Sequence, residues 1–320
     1  MNRLLADLLA ARVFLAMLSG DPAQPIAQRR DTHHIYETGK ARKTILLLHG
    51  LTMTGEADPR LVRLARALAA GGLRVVVPIF EHLKDYRFDP ADRGRLLEVA
   101  ARFKAETDAP LVVIAFSAGG SLALAAAADP AGRELFGPLV LFSPLYDFEA
   151  AWQAFHAQST LPMEGTTAWD DFIWVQCVIA WRNRDRLGLS PTVTGQLKEL
   201  FLRWPVDLST NEKRDFYETT LKPLNLPGLA EYFHEGKTLA QLSPRGKLHE
   251  LTQRVLLLLS PDDSLLSAEE IGAFHAELCQ RKTGRTWLLS TPLLAHANLS
   301  AVTRPQDAFL LVHYLGEVFV

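Results

Sequence analysis

From residue 43 onward, short apolar runs alternate with segments of helical periodicity, and that alternation leaves the chain few folds. Residues 44–48, 73–77, 111–116 and 139–142 each carry apolar residues at consecutive positions, not alternate ones. Strands of that kind are covered on both faces, as in a parallel sheet. Helix signals lie between them. Asp58-Pro59 supplies a cap and a first-turn proline ahead of Leu61, Leu64, Ala65 and Leu68, and Gly71-Gly72 ends that helix. Asp89-Pro90 opens a second helix carrying Leu96, Leu97, Val99, Ala100 and Phe103, and residues 118–128 form an alanine-rich third. Strand and helix in turn predict an α/β fold with a mostly parallel central sheet and helices on both faces. The rhythm stops over 144–245, which holds helical and irregular stretches but no buried-strand pattern. It resumes with a strand at 255–259, a helix at 268–278, a strand at 286–289 and a closing helix near 306–315. The expected organisation is one α/β core made of 1–143 and 246–320, with 144–245 inserted as a helical cap.

Five of the six tryptophans (Trp152, Trp169, Trp174, Trp181 and Trp204) fall in that insert, with Phe155, Phe172, Phe201, Tyr232 and Phe233. They either form the insert's own small core or line an apolar cleft against the sheet. Residues 1–18 place Leu4, Leu5, Leu8, Leu9, Val13, Met17 and Leu18 at helical spacing, interrupted by Asp7 and Arg12. A helix docked on the domain is expected there; contact with a membrane surface or a partner is the alternative. The formal net charge of −2 gives no reason to expect nucleic acid as a partner. The two cysteines, Cys177 and Cys279, lie in no Cys/His cluster, which fits a cytoplasmic location and speaks against a disulfide or zinc site. Cys177, in an apolar helical stretch, reads as packed, and His33-His34 and Arg182, Arg184 and Arg186 read as solvated polar surface.

The chemistry concentrates at Ala115-Phe116-Ser117-Ala118-Gly119-Gly120, between the apolar run 111–116 and the alanine-rich helix. A strand-to-helix turn that exposes a serine hydroxyl needs small residues two before and two after it, because the two backbones nearly touch there. Gly119 meets that need, and Ala115 is still small. The turn aims the Ala118 amide, at the helix N-terminus, toward the place where negative charge develops. Serine is a weak nucleophile unless a base takes its proton and an acid holds the base. Asp263, or its neighbour Asp262, follows the strand 255–259, and His296 follows the strand 286–289. Ser, then Asp, then His is the chain order of one known triad arrangement. In Leu48-His49-Gly50-Leu51, Gly50 lets the backbone turn so that the Leu51 amide faces the site, and His49 braces the loop by hydrogen bonding.

These segments resemble the α/β-hydrolase superfamily, above all its carboxylesterase, monoacylglycerol-lipase and lysophospholipase-like members. The likeness covers about residues 43–143 and 246–320 and does not reach the insert. It implies the α/β-hydrolase fold and a triad of Ser117, Asp263 and His296. It also implies an oxyanion hole from the Leu51 and Ala118 amides. The sequence has no Gly-x-Gly-x-x-Gly fingerprint, phosphate-binding loop or His-Glu-x-x-His, so no cofactor and no metal are expected. The implied reaction is hydrolysis of a carboxylic ester, the substrate an apolar small-molecule ester such as an acyl-chain lipid ester. Acyl transfer or thioester cleavage by the same triad is the alternative, as is a non-catalytic binding role on the same scaffold. Ala115 stands where the superfamily usually has glycine, and Pro78-Ile79-Phe80-Glu81-His82-Leu83 lacks the Gly-x-Gly-x-Ser loop of close relatives.

Overall fold

The computed structural model describes residues 10, 26–39, 43–107, 109–150, 167–204, 208–224, 226, 240, 242–260, 263, 266–281, 283–291, 294–295, 298–299 and 316. Its centre is an eight-stranded sheet. In chain order the strands are β1 (Ile26–Arg29), β2 (His33–Glu37), β3 (Thr44–Leu48), β4 (Arg74–Pro78), β5 (Leu111–Phe116), β6 (Phe136–Phe142), β7 (Val255–Leu259) and β8 (Thr286–Ser290). They lie side by side in the order β1-β2-β4-β3-β5-β6-β7-β8. β4, β3, β5, β6, β7 and β8 pair in parallel, while β1 with β2 and β2 with β4 are antiparallel.

The period of two along each strand sorts the core into two layers. Leu46, Leu48, Val113, Ala115, Leu257 and Leu259 face one side, which α3 (Pro90–Thr107), α4 (Ala118–Ala128) and α8 (Ala268–Cys279) cover with Leu96, Phe103, Leu122 and Phe274. Ile45, Leu47, Val112, Ile114, Leu256 and Leu258 face the other, which α1 (Pro59–Ala70) covers with Leu61, Leu64, Ala65 and Leu68. Each fully buried Leu or Val contributes about 1.5–3 kcal/mol. Every residue of α4 is buried, which explains its composition: residues that are mostly alanine and glycine, with Leu122 and Leu124, let the helix lie close to both the sheet and α3. Asp58 caps α1 by accepting from the Arg60 amide at 2.9 Å, and a single-turn α2 (Glu81–Lys84) follows β4.

Two readings of the sequence need correction here. β1 and β2 form a hairpin on the edge of the sheet where no strand is expected, because residues 26–37 carry no continuous apolar run. His33, expected on solvated surface, is buried on β2. Its Nδ1 meets Thr32 Oγ1 at 2.8 Å and its ring stands edge-on to Phe103.

Between β6 and β7 the described residues contain α5 (Thr167–Arg182), α6 (Pro191–Arg203) and α7 (Thr210–Phe216), the last continuing into a wider π-type turn over Tyr217–Leu221. No strand occurs among them. The segment leaves and rejoins the sheet at one place: the Arg245 amide donates to Tyr146 O at 3.1 Å, and the Phe148 amide donates to Ser243 Oγ at 3.0 Å. Its aromatics pack on one another, with Trp174 at 5.0 Å from Phe201 and 5.1 Å from Trp204. For these residues the structure selects an internal core over a cleft lining. Trp152, Phe155, Tyr232 and Phe233 lie outside the described residues, as do the closing helix expected near 306–315 and all of 1–18 except Ala10. Ala10 is helical and buried against the α1 layer. Among the described residues no helix is long and apolar enough to cross a membrane.

Candidate active site

β5 ends at Phe116 and α4 begins at Ala118, so Ser117 makes the whole turn between them. Its φ of 48° and ψ of −128° are a strained conformation for a residue with a side chain. Three contacts hold it there. The Ser117 amide donates to Phe142 O on β6 at 2.8 Å, and Ser117 O accepts from the amides of Gly120 at 2.8 Å and Ser121 at 3.2 Å. The β3 loop closes on the same turn. A Cβ at Gly50 would stand 2.9 Å from the Ser117 Cβ, and one at Gly119 would collide with the His49 carbonyl. Glycine is therefore required at 119 by the approach of two backbones, whereas Ala115 is fully buried in the sheet core without difficulty.

At this N-terminus the Ala118 amide has no carbonyl of its own helix to bond. Leu51, next to Gly50, is half-buried and packs on both the sheet core and the aromatic cluster of the insert. His49 is buried beside Phe80, and its Nδ1 meets Gly50 O at 2.8 Å. Burial pushes its pKa down, so the ring is neutral and Nδ1–H donates to that carbonyl. The loop is thus braced by its own histidine.

Asp263 lies just past the end of β7, on the sheet edge that also carries Ser117 past β5, and it is 9% exposed. After β8 the Thr291 amide returns to Leu259 O at 2.9 Å, which draws the β8 exit beside the β7 exit. Leu294–Ala295 and Asn298–Leu299 pair antiparallel, Ala295 opposite Asn298. His296 and Asp262 lie outside the described residues. The structure therefore brings together Ser117, Gly50 and Ala118, and puts Asp263 on the same edge.

Sequence reasoning missed the residues that support this edge. Ser143, fully buried at the end of β6, has φ of 44°, and its amide donates to Leu258 O at 2.8 Å. Ser121 Oγ donates to Leu145 O at 2.8 Å, fixing α4 to the β6 exit. Asp85 accepts from Trp181 Nε1 at 3.0 Å and from Arg184 at 3.4 Å. Arg184 is thus no solvated surface residue; its guanidinium also lies 4.6 Å over the Trp181 ring. No local pattern announces any of these, since each depends on a distant partner. Cys177 is packed as expected, and burial pushes its thiol well up, away from thiolate. Beside Ala118 a narrow crevice is lined by Leu122, Phe88, Phe148 and Leu242, with Asp92 at one side.

The strand order, the strained serine after β5 and the buried carboxylate after β7 agree with a match of the sequence over residues 45–309 to the Alpha/beta hydrolase family. The chain belongs to that family. No curated protein matches it. Among solved structures this hydrolase is similar to the Francisella virulence factor BioJ (TM-score 0.55, 15% identity, 98% of this chain and 89% of that one). It is also similar to a protein from Staphylococcus aureus described as an esterase (TM-score 0.53, 14% identity, 95% and 90%). An acylaminoacyl peptidase from Pyrococcus horikoshii gives a TM-score of 0.53 at 12% identity over 96% of this chain, but the hydrolase spans only 42% of the peptidase's length. At such identities these likenesses concern the fold.

Proposed function

We propose that this hydrolase cleaves carboxylic esters of apolar acyl groups through a serine nucleophile, Ser117. The observation that carries the reading is the strained turn at Ser117, pressed against Gly50 and set at the N-terminus of a fully buried helix. Strain of this kind is kept where the surrounding backbone over-determines it, and functional sites are where it concentrates. In this reading Ser117 Oγ attacks the ester carbonyl carbon while His296 takes its proton, and Asp263 orients the imidazole and stabilises its charged form. The oxyanion accepts from the Leu51 and Ala118 amides. His296 then returns the proton to the departing alcohol, and water releases the acyl-enzyme by the same route. The insert over 144–245 acts as a cap that selects substrate, and the apolar side chain of Leu51, which packs on both the sheet core and the insert's aromatics beside the serine turn, favours an apolar acyl group.

A chain-length series of p-nitrophenyl esters, run beside the matching p-nitroanilides, tests this. Hydrolysis of the esters with a preference for medium or long acyl chains is expected, and Ser117→Ala lowers kcat/KM by roughly 10³-fold or more. Faster cleavage of the anilides, or equal ester turnover by the Ser117→Ala protein, contradicts the reading.

A further inference from the structure

The crevice beside Ala118 holds an acid that the proposed reaction does not use. Asp92, in the first turn of α3, is 4% exposed. His82 on α2 engages one of its oxygens, with Nδ1 at 3.0 Å from Asp92 Oδ1, while Nε2 faces Asp89 Oδ2 at 3.6 Å. The other oxygen, Asp92 Oδ2, is buried and has no hydrogen-bond partner. Among the described residues Asp92 forms an ion pair with His82 and with no lysine or arginine. Around it stand Leu83, Phe88, Leu122, Phe148 and Leu242, with the Phe88 and Phe148 rings 4.1 Å apart. α3 and α4 follow the carboxyl ends of the parallel strands β4 and β5, so the crevice lies on the sheet edge that carries Ser117. A carboxylate oxygen among apolar side chains is unfavourable until a donor, best of all a cation, reaches it. Burial accordingly pushes the Asp92 pKa up, and the bond to His82 offsets only part of that. The free volume, about 10 Å³, admits one group the size of a water molecule. A primary ammonium is that small, whereas a guanidinium or a quaternary ammonium is not.

We propose that this crevice is a subsite for a primary ammonium group carried by the substrate, with Asp92 Oδ2 as its acceptor and counter-charge. The leucines and phenylalanines around it cover the methylenes next to the nitrogen. The ester cleaved at Ser117 is then one whose apolar chain bears an amine. Its role in substrate choice rests on Ser117 being the nucleophile; its affinity for an amine does not.

n-Butylamine (charged at neutral pH), n-butanol and tetramethylammonium, compared at equal ionic strength as inhibitors of Ser117 phosphonylation by a fluorophosphonate, test it. In the wild type the inhibition constant of butylamine is expected to lie roughly tenfold or more below that of butanol, with tetramethylammonium without effect. In Asp92→Asn, which keeps the shape and removes the charge, the butanol-to-butylamine ratio is expected to fall to about one. Equal inhibition by amine and alcohol in the wild type overturns the subsite. So does inhibition by tetramethylammonium as strong as that by butylamine, or an unchanged ratio in folded Asp92→Asn. If the wild type takes no label, the serine reading fails, and the melting temperature then decides the subsite separately. A larger rise with butylamine than with butanol or tetramethylammonium supports it, and equal shifts overturn it.

Discussion

The turn at Ser117 and the helices over Thr167–Leu221 are built on different physics. At the turn, position is imposed by backbone. Two stretches of backbone approach so closely that a single methyl group at Gly119 cannot fit, and three main-chain partners hold one strained residue. In the helices, position comes from rings packed on rings, with Phe201 and Trp174 against Tyr86 from the loop after β4 and Trp204 against Trp174. Backbone contact allows almost no adjustment, whereas aromatic packing can be rebuilt with other side chains of similar volume.

The sharpest test of that contrast is to put a methyl group at the turn. Gly119→Ala should destabilise the protein by more than about 4 kcal/mol or prevent folding, read by urea denaturation; a loss under about 1 kcal/mol would mean that the two backbones can part. Next in size, Phe201→Ala should cost about 3–5 kcal/mol. Because Trp174, Trp181 and Trp204 surround or adjoin Phe201, tryptophan emission should report the loss at lower urea than the far-ultraviolet signal of the sheet. Coincident, unshifted transitions would show that the two regions are not separable.

A smaller effect should come from pH. Burial holds His33 and His49 below the ordinary value of 6.5. The unfolded chain therefore binds more protons than the folded one once pH falls below about 6.5, and stability declines from there. Both histidines belong to the sheet region, and residues 167–224 contain none. Melting temperature should be level from pH 8 to 7 and fall toward pH 5.5, less steeply in His49→Gln; a level profile to 5.5 contradicts the neutral, buried state of both rings. Smallest is the counterpart of the first substitution. Gly195 lies exposed inside α6 with open space around its Cα, so Gly195→Ala should stabilise by about 0.5–1 kcal/mol. The same change would then carry opposite signs in the two regions.

What the sequence discloses follows the same division. Residues 44–48, 111–116, 118–128 and 255–259 are read to the residue, because continuous apolar runs and an alanine-rich helix admit one burial pattern. The need for glycine at 119 was legible from the turn alone, and so was a carboxylate after β7. β1 and β2 were not, because His33 is buried through Thr32 and Phe103 and not through its own character. Nor was the link through Asp85 and Tyr86, whose partners Arg184 and Phe201 lie far along the chain. The aromatics of the insert fit a core or a cleft equally well until their mutual distances are known.

The central claim is that Ser117 is the nucleophile, and covalent labelling tests it with no assumption about substrate. Wild-type protein treated with a fluorophosphonate should gain one phosphonyl adduct by intact mass, mapped by peptide sequencing to Ser117, and the Ser117→Ala protein should gain none. An unlabelled wild type, an adduct on another residue, or equal labelling of Ser117→Ala would contradict it.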